Sequence, residues 1–229
     1  MITSVDHHRE VRMMINRCDV KADFRSIALV VACFLAPGVN AVAQDRLPPI
    51  PADAMTDAQK KAVAEFVAIR GAEISGPFVP LLRSPEVMSR ARAMGDYLRF
   101  RSVLPPRLSE FAILITARQW TAQYEWATHY PPALQAGLSA EVAKAIAEGR
   151  RPEHMAADEE LVYDFCTELQ RNQSVSDATY ARMLSQFGGQ GIIDTVGIAG
   201  YYTFLGMVLN TARTPVPASA TPALAPFPR

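Results

Sequence analysis

Glu110, Glu125 and His129 share one short stretch, Glu110-Phe-Ala-Ile-Leu-Ile-Thr-Ala-Arg-Gln-Trp-Thr-Ala-Gln-Tyr-Glu125-Trp-Ala-Thr-His129. Glu125 and His129 stand four apart in a helical pattern, so their side chains meet on one face. A carboxylate beside an imidazole fixes its tautomer and raises its basicity, which suits proton transfer near neutral pH. A lone histidine in an apolar helix is usually a satisfied structural residue; here the neighbouring Glu125 argues for more. Glu110 lies in a segment otherwise fit for a core, where a carboxylate needs a partner. Its bland role would be an ion pair with Arg107 or Arg118. The same three side chains could hold a divalent ion, but the only other nearby histidine, His154, falls in a polar loop.

Arg118 and Arg107 flank the Glu110 segment and are candidates to bind a substrate carboxylate bidentately, although surface ion pairing is the plainer role for each. Trp120, Tyr124 and Trp126 could line a pocket, as could Tyr201 and Tyr202; aromatics at helical spacing are more often core or subunit contacts. Cys166 follows Phe165 on an amphipathic segment and reads as a small core residue.

The Glu110–His129 segment resembles the carboxymuconolactone decarboxylase family, which includes the alkyl hydroperoxidase D-type disulfide reductases. Those reductases carry a Glu, then Cys-x-x-Cys, then a His. On this chain the Glu falls at Glu110, the two Cys positions at Ala122 and Glu125, and the His at His129. The Gly200-Tyr201-Tyr202, Leu209-Asn210 and Pro215 pattern extends the resemblance toward the C-terminus. It implies an all-helical fold of the alkyl hydroperoxidase D-like type, no metal, no cofactor, and a trimer or hexamer with its site near a subunit boundary. The implied chemistry is removal of carbon dioxide from a carboxylated lactone. His129 would donate or accept the proton, Glu125 would orient it, and Glu110 would relay. Disulfide reduction is disfavoured, because neither Ala122 nor Glu125 can supply a sulfur. A non-catalytic helical oligomer or binding protein of the same fold is the alternative.

The elements that must position these residues read as helices. Thr56-Asp-Ala-Gln59 is a capping-box signature opening a helix toward Arg70. Ser84-Pro85-Glu86 starts another, toward Phe100, with a cap residue, a first-turn proline and an acid facing the dipole. Leu104-Pro105-Pro106 precedes a helix from Arg107 to about Arg118, and a second runs from Trp120 to Tyr130, stopping at Pro131-Pro132. Further helices are expected at 139–148, 158–171, 177–187 and 192–212, with a break at Gly188-Gly189. Period-two alternation is nearly missing, so the fold class is all-α, a single domain.

Composition bounds the rest. With 23 basic and 23 acidic residues the net charge is zero, which gives no footprint for nucleic acid. At the N-terminus, Lys21 and Arg25 precede the apolar run Ile27–Leu35, then Pro37-Gly38 and Ala41-Val42-Ala43. That order predicts a signal peptide over 1–43, cleaved after Ala43, with translation starting at Met1 or at Met13 or Met14. Cys33 offers a minority lipoprotein site. The expectation is a periplasmic or secreted protein with no stable membrane insertion, retaining Cys166 as its one cysteine. An extended arm over 44–55, a helical domain over 56–213 and a Pro-rich flexible tail over 214–229 complete the division.

Overall fold

The structure is a computed structural model that describes residues 45–216 and 223–225. The expected signal peptide, its cleavage site and Cys33 lie outside the described residues. Among the described residues a short 3-10 turn (Ala52–Ala54) precedes eight α-helices: α1 (Asp57–Arg70), α2 (Phe78–Leu81), α3 (Pro85–Phe100), α4 (Pro106–Gln119), α5 (Gln123–Gln135), α6 (Ala140–Ala147), α7 (Ala157–Asn172) and α8 (Asp177–Ala212). Among the described residues there is no strand, in agreement with the all-helical expectation.

Local chemistry sets the helix ends. Thr56 and Gln59 close the capping box reciprocally: the Gln59 amide donates to Thr56 Oγ1 at 3.3 Å, and the Thr56 amide donates to Gln59 Oε1 at 2.9 Å. Gly71 takes the left-handed conformation that ends α1, and Pro85 occupies the first turn of α3. Gly188 (φ 67°, ψ −179°) interrupts α8 where two helices are expected, so the second half restarts directly.

α4 is the axis of the molecule. Every residue from Leu108 to Arg118 is buried, as befits a helix apolar on nearly all sides. α5, α7, α8 and α6 all pack on it. α8 is long and apolar enough to cross a bilayer, but its Ile198, Tyr202, Leu205 and Leu209 are buried in this helical core.

One expectation is corrected. α5 does not stop at Pro131-Pro132; it continues to Gln135 with both prolines inside. Those prolines deprive the carbonyls of Ala127 and Thr128 of amide partners. Downstream hydrogen bonds, Ala136 N to Pro132 O at 2.8 Å and Leu138 N to Ala133 O at 3.0 Å, and the burial of Ala133 and Leu138 hold the last turn. In the stretch expected to be a flexible tail, Leu224 is buried and its amide donates to Gln123 Oε1 at 3.0 Å.

Candidate active site

α4 and α5 form a tight hairpin, and its turn brings Glu110 to His129. The Ala122 amide donates to Ala117 O at 2.8 Å across that turn. Thr121 sits at φ 45°, a left-handed conformation that costs a β-branched residue about 1–3 kcal/mol. Surrounding packing holds it there: Asn210 Nδ2 of α8 donates to Trp120 O at 2.9 Å. A Cβ on Gly206 of α8 would lie 3.3 Å from Ala122 Cβ, so α8 seats close against the turn.

The imidazole of His129 bridges two carboxylates. Its Nδ1–H donates to Glu110 Oε2 at 2.6 Å, and Nε2 faces Glu125 Oε2 at 3.4 Å. His129 is 3% exposed and Glu125 2%. Burial opposes the imidazolium, but hydrogen bonds and charges from Glu110 and Glu125 outweigh it and raise the histidine pKa. Arg99 Nε approaches Glu110 Oε1 at a loose 3.8 Å. Two carboxylates, one imidazolium and one guanidinium thus make a neutral group, the form a low-dielectric interior tolerates. The Tyr202 ring meets His129 edge-on, with centroids 4.9 Å apart, and burial pushes the Tyr202 hydroxyl pKa well up, keeping it a donor.

Glu125 and His129 line a cavity of about 120 Å³ together with Tyr124, Arg70, Arg99, Tyr201 and Tyr202. Glu125 Oε1 is buried with no protein partner among the described residues, an unsatisfied acceptor on a residue that lines the cavity. Two glycines make room for the aromatic walls. A Cβ on Gly95 would overlap the Tyr201 hydroxyl, and one on Gly76, which sits at φ 56°, would lie 2.6 Å from the Tyr124 ring.

Of the residues singled out from sequence, His129, Glu125, Glu110 and Tyr124 come together. Arg107, Arg118 and Trp120 do not. Arg107 reaches across to the start of α7, donating to Asp158 Oδ2 at 2.7 Å and to Glu159 Oε1. It clamps two helices. Arg118 Nη1 donates to Ala225 O at 2.7 Å, on a different face of α4. Helical spacing alone does not separate either arginine from Glu110, since Arg107 lies one turn before it; tertiary partners on α7 and at Ala225 draw both side chains elsewhere. Glu110 accordingly pairs with His129 and Arg99, not with Arg107 or Arg118. Trp120 caps α4 and lines a separate surface groove with Gln170 and Val196. Arg70 and Arg99, at the ends of α1 and α3, are cavity residues that sequence reasoning missed. Their place in the last turn reads as dipole compensation, and no local signal separates the two roles.

No family model and no curated protein matches this chain. Solved structures do. An uncharacterized peroxidase-related protein from Silicibacter sp. TM1040 superposes with a TM-score of 0.62 at 15% identity, covering 80% of this chain and 97% of that one. An alkylhydroperoxidase AhpD core protein from Ralstonia eutropha JMP134, an uncharacterized peroxidase-related protein, gives a TM-score of 0.62 at 16% identity over 76% and 92%. The chain therefore has the AhpD-like fold.

Proposed function

We propose that this protein is a carboxymuconolactone decarboxylase-like enzyme. It performs cofactor-independent acid–base chemistry, decarboxylation or a related proton transfer, on a small carboxylated or lactone substrate. The observation that carries this reading is the chain Glu110–His129–Glu125, whose last member lines the cavity and keeps one buried carboxylate oxygen without a protein partner among the described residues.

The roles follow from the geometry. Glu110 holds Nδ1 and keeps His129 charged. His129 is the proton reservoir, with Nε2 turned to Glu125. Glu125 is the group that meets substrate, passing a proton to or from carbon. Arg99, whose hold on Glu110 is loose, receives the substrate carboxylate. In decarboxylation the bond from carbon to the departing carboxylate breaks and its electron pair enters the conjugated lactone. Carbon dioxide leaves, and the proton drawn from His129 through Glu125 closes the new C–H bond.

Thiol-dependent peroxide reduction is the weaker reading. The positions aligned with the reductase thiols hold Ala122 and Glu125. Cys166, the one cysteine among the described residues, is buried, and burial pushes its thiol up to about 12.

The reading includes an exported homo-oligomer, a trimer or hexamer. Ala41-Val42-Ala43 after an apolar run supports export. Exposed Ile193, Val196 and Met207 on one face of α8 support assembly, since a second copy would cover them.

The test is carbon dioxide release and enol-lactone formation from carboxymuconolactone, followed by absorbance. Wild-type protein should turn it over and His129→Ala should not. Equal turnover by folded His129→Ala would overturn the assignment.

A further inference from the structure

Outside the cavity, between α1 and the end of α3, lies an open groove of about 790 Å³. Arg70, Arg92, Arg99 and Arg101 line it, and Asp96 is the one acid among its described lining residues. Asp96 takes Arg70 on Oδ1 at 2.7 Å and Arg92 on Oδ2 at 2.6 Å, so two guanidiniums share one carboxylate. Arg101 is exposed and rests over the Tyr97 ring at 5.8 Å. Phe100, 68% exposed, adds an apolar flank under the Arg99 guanidinium. Arg70 and Arg99 belong to both the groove and the cavity, so the two spaces share a wall.

With Arg99 counted against Glu110, the three guanidiniums of Arg70, Arg92 and Arg101 against the one carboxylate of Asp96 still leave an excess of positive charge on a concave surface, where field lines concentrate. Arg70 is fixed in place by the Phe66 and Phe78 rings, at 5.1 and 4.7 Å, and by Asp96. A preorganised guanidinium fork favours planar or tetrahedral oxyanions, which it grips through two parallel hydrogen bonds.

We propose that the groove is a second anion subsite that takes a multiply charged oxyanion handle, phosphoryl or polycarboxylate. That handle is carried by a substrate whose reacting end enters the cavity beside Glu125. The proposal rests on the reading of that cavity as the reacting centre, but its binding test does not.

Calorimetry at low ionic strength with inorganic pyrophosphate, tricarballylate and acetate decides the matter. At least one of the two polyanions should bind the wild-type protein, with affinity falling as salt rises, and acetate should not displace it. The tighter of the two names the source of the handle. Arg92→Ala/Arg101→Ala should weaken binding about tenfold or more. Arg101→Gln alone, at an exposed side chain with no carboxylate partner among the described residues, should weaken it about threefold without affecting folding. His129→Ala should bind as wild type, which separates this proposal from the acid–base reading. Absence of binding by both polyanions, or undiminished binding by folded Arg101→Gln and the double variant, would overturn it.

Discussion

His129 Nδ1 and Glu110 Oε2 stand 2.6 Å apart, although the two residues are nineteen positions apart and sit on different helices. The α4–α5 hairpin makes this contact, and it converts a buried histidine into a stable cation. The raised pKa means that the folded chain holds the proton more tightly than the unfolded one. Stability from the pair is therefore complete below the unfolded value, near 6.5, and fades as pH rises through the folded value.

Glu110→Gln removes the larger of the two attractions and should lower the His129 pKa. The variant should lose about 1–3 kcal/mol at acidic pH, and less above the folded histidine pKa. Denaturant unfolding across pH, beside a nitrogen-15 NMR titration of the imidazole, checks both. A histidine pKa unchanged in Glu110→Gln would contradict the assignment of that contact.

Arg107 and Arg99 should separate cleanly. Arg107→Ala breaks a half-buried clamp on Asp158 and Glu159 and should cost about 1–3 kcal/mol of stability without changing turnover. Arg99→Ala should raise KM for a carboxylated substrate by about tenfold or more. Melting curves and steady-state kinetics on the two variants distinguish a structural arginine from a substrate-binding one.

Gly95→Ala tests the cavity wall. The added methyl would overlap the Tyr201 hydroxyl, so the ring must move into the cavity or α3 must shift. A loss of about 1–3 kcal/mol is expected, with turnover falling further than the melting temperature implies. Adding Tyr201→Phe removes the overlapping hydroxyl and should restore part of both.

Much of the fold was legible because its signals are local. The Thr56–Gln59 box, the Pro85 start (where the Ser84 side chain makes no capping hydrogen bond) and the Gly188 break each involve a few adjacent residues. Glu125 and His129 were legible for the same reason, since helical spacing puts them on one face. What local pattern could not supply was the partner of Glu110. His129 and Arg99 meet it only through packing, so Arg107 and Arg118, its neighbours in sequence, looked equally suitable. The continuation of α5 through Pro131-Pro132 was hidden likewise, because tertiary burial of Ala133 and Leu138 overrides the local cost of two prolines.

Cys166 should be inert. With its thiol buried and pushed up to about 12, it should react with Ellman's reagent only on unfolding. Peroxide turnover supported by a generic dithiol should stay at background. Turnover that vanishes in Cys166→Ser would revive a thiol mechanism.

The most direct measurement follows hydrogen at the reacting carbon. Carboxymuconolactone is turned over in D2O and deuterium in the product is read by NMR. Wild-type protein should deliver one solvent-derived deuteron stereospecifically. Glu125→Gln keeps the shape but cuts the path from His129, and should slow delivery by about 10²–10⁴-fold while remaining folded. Deuteration at the wild-type rate and stereochemistry by folded Glu125→Gln would show that the Glu125–His129 pair does not carry the proton.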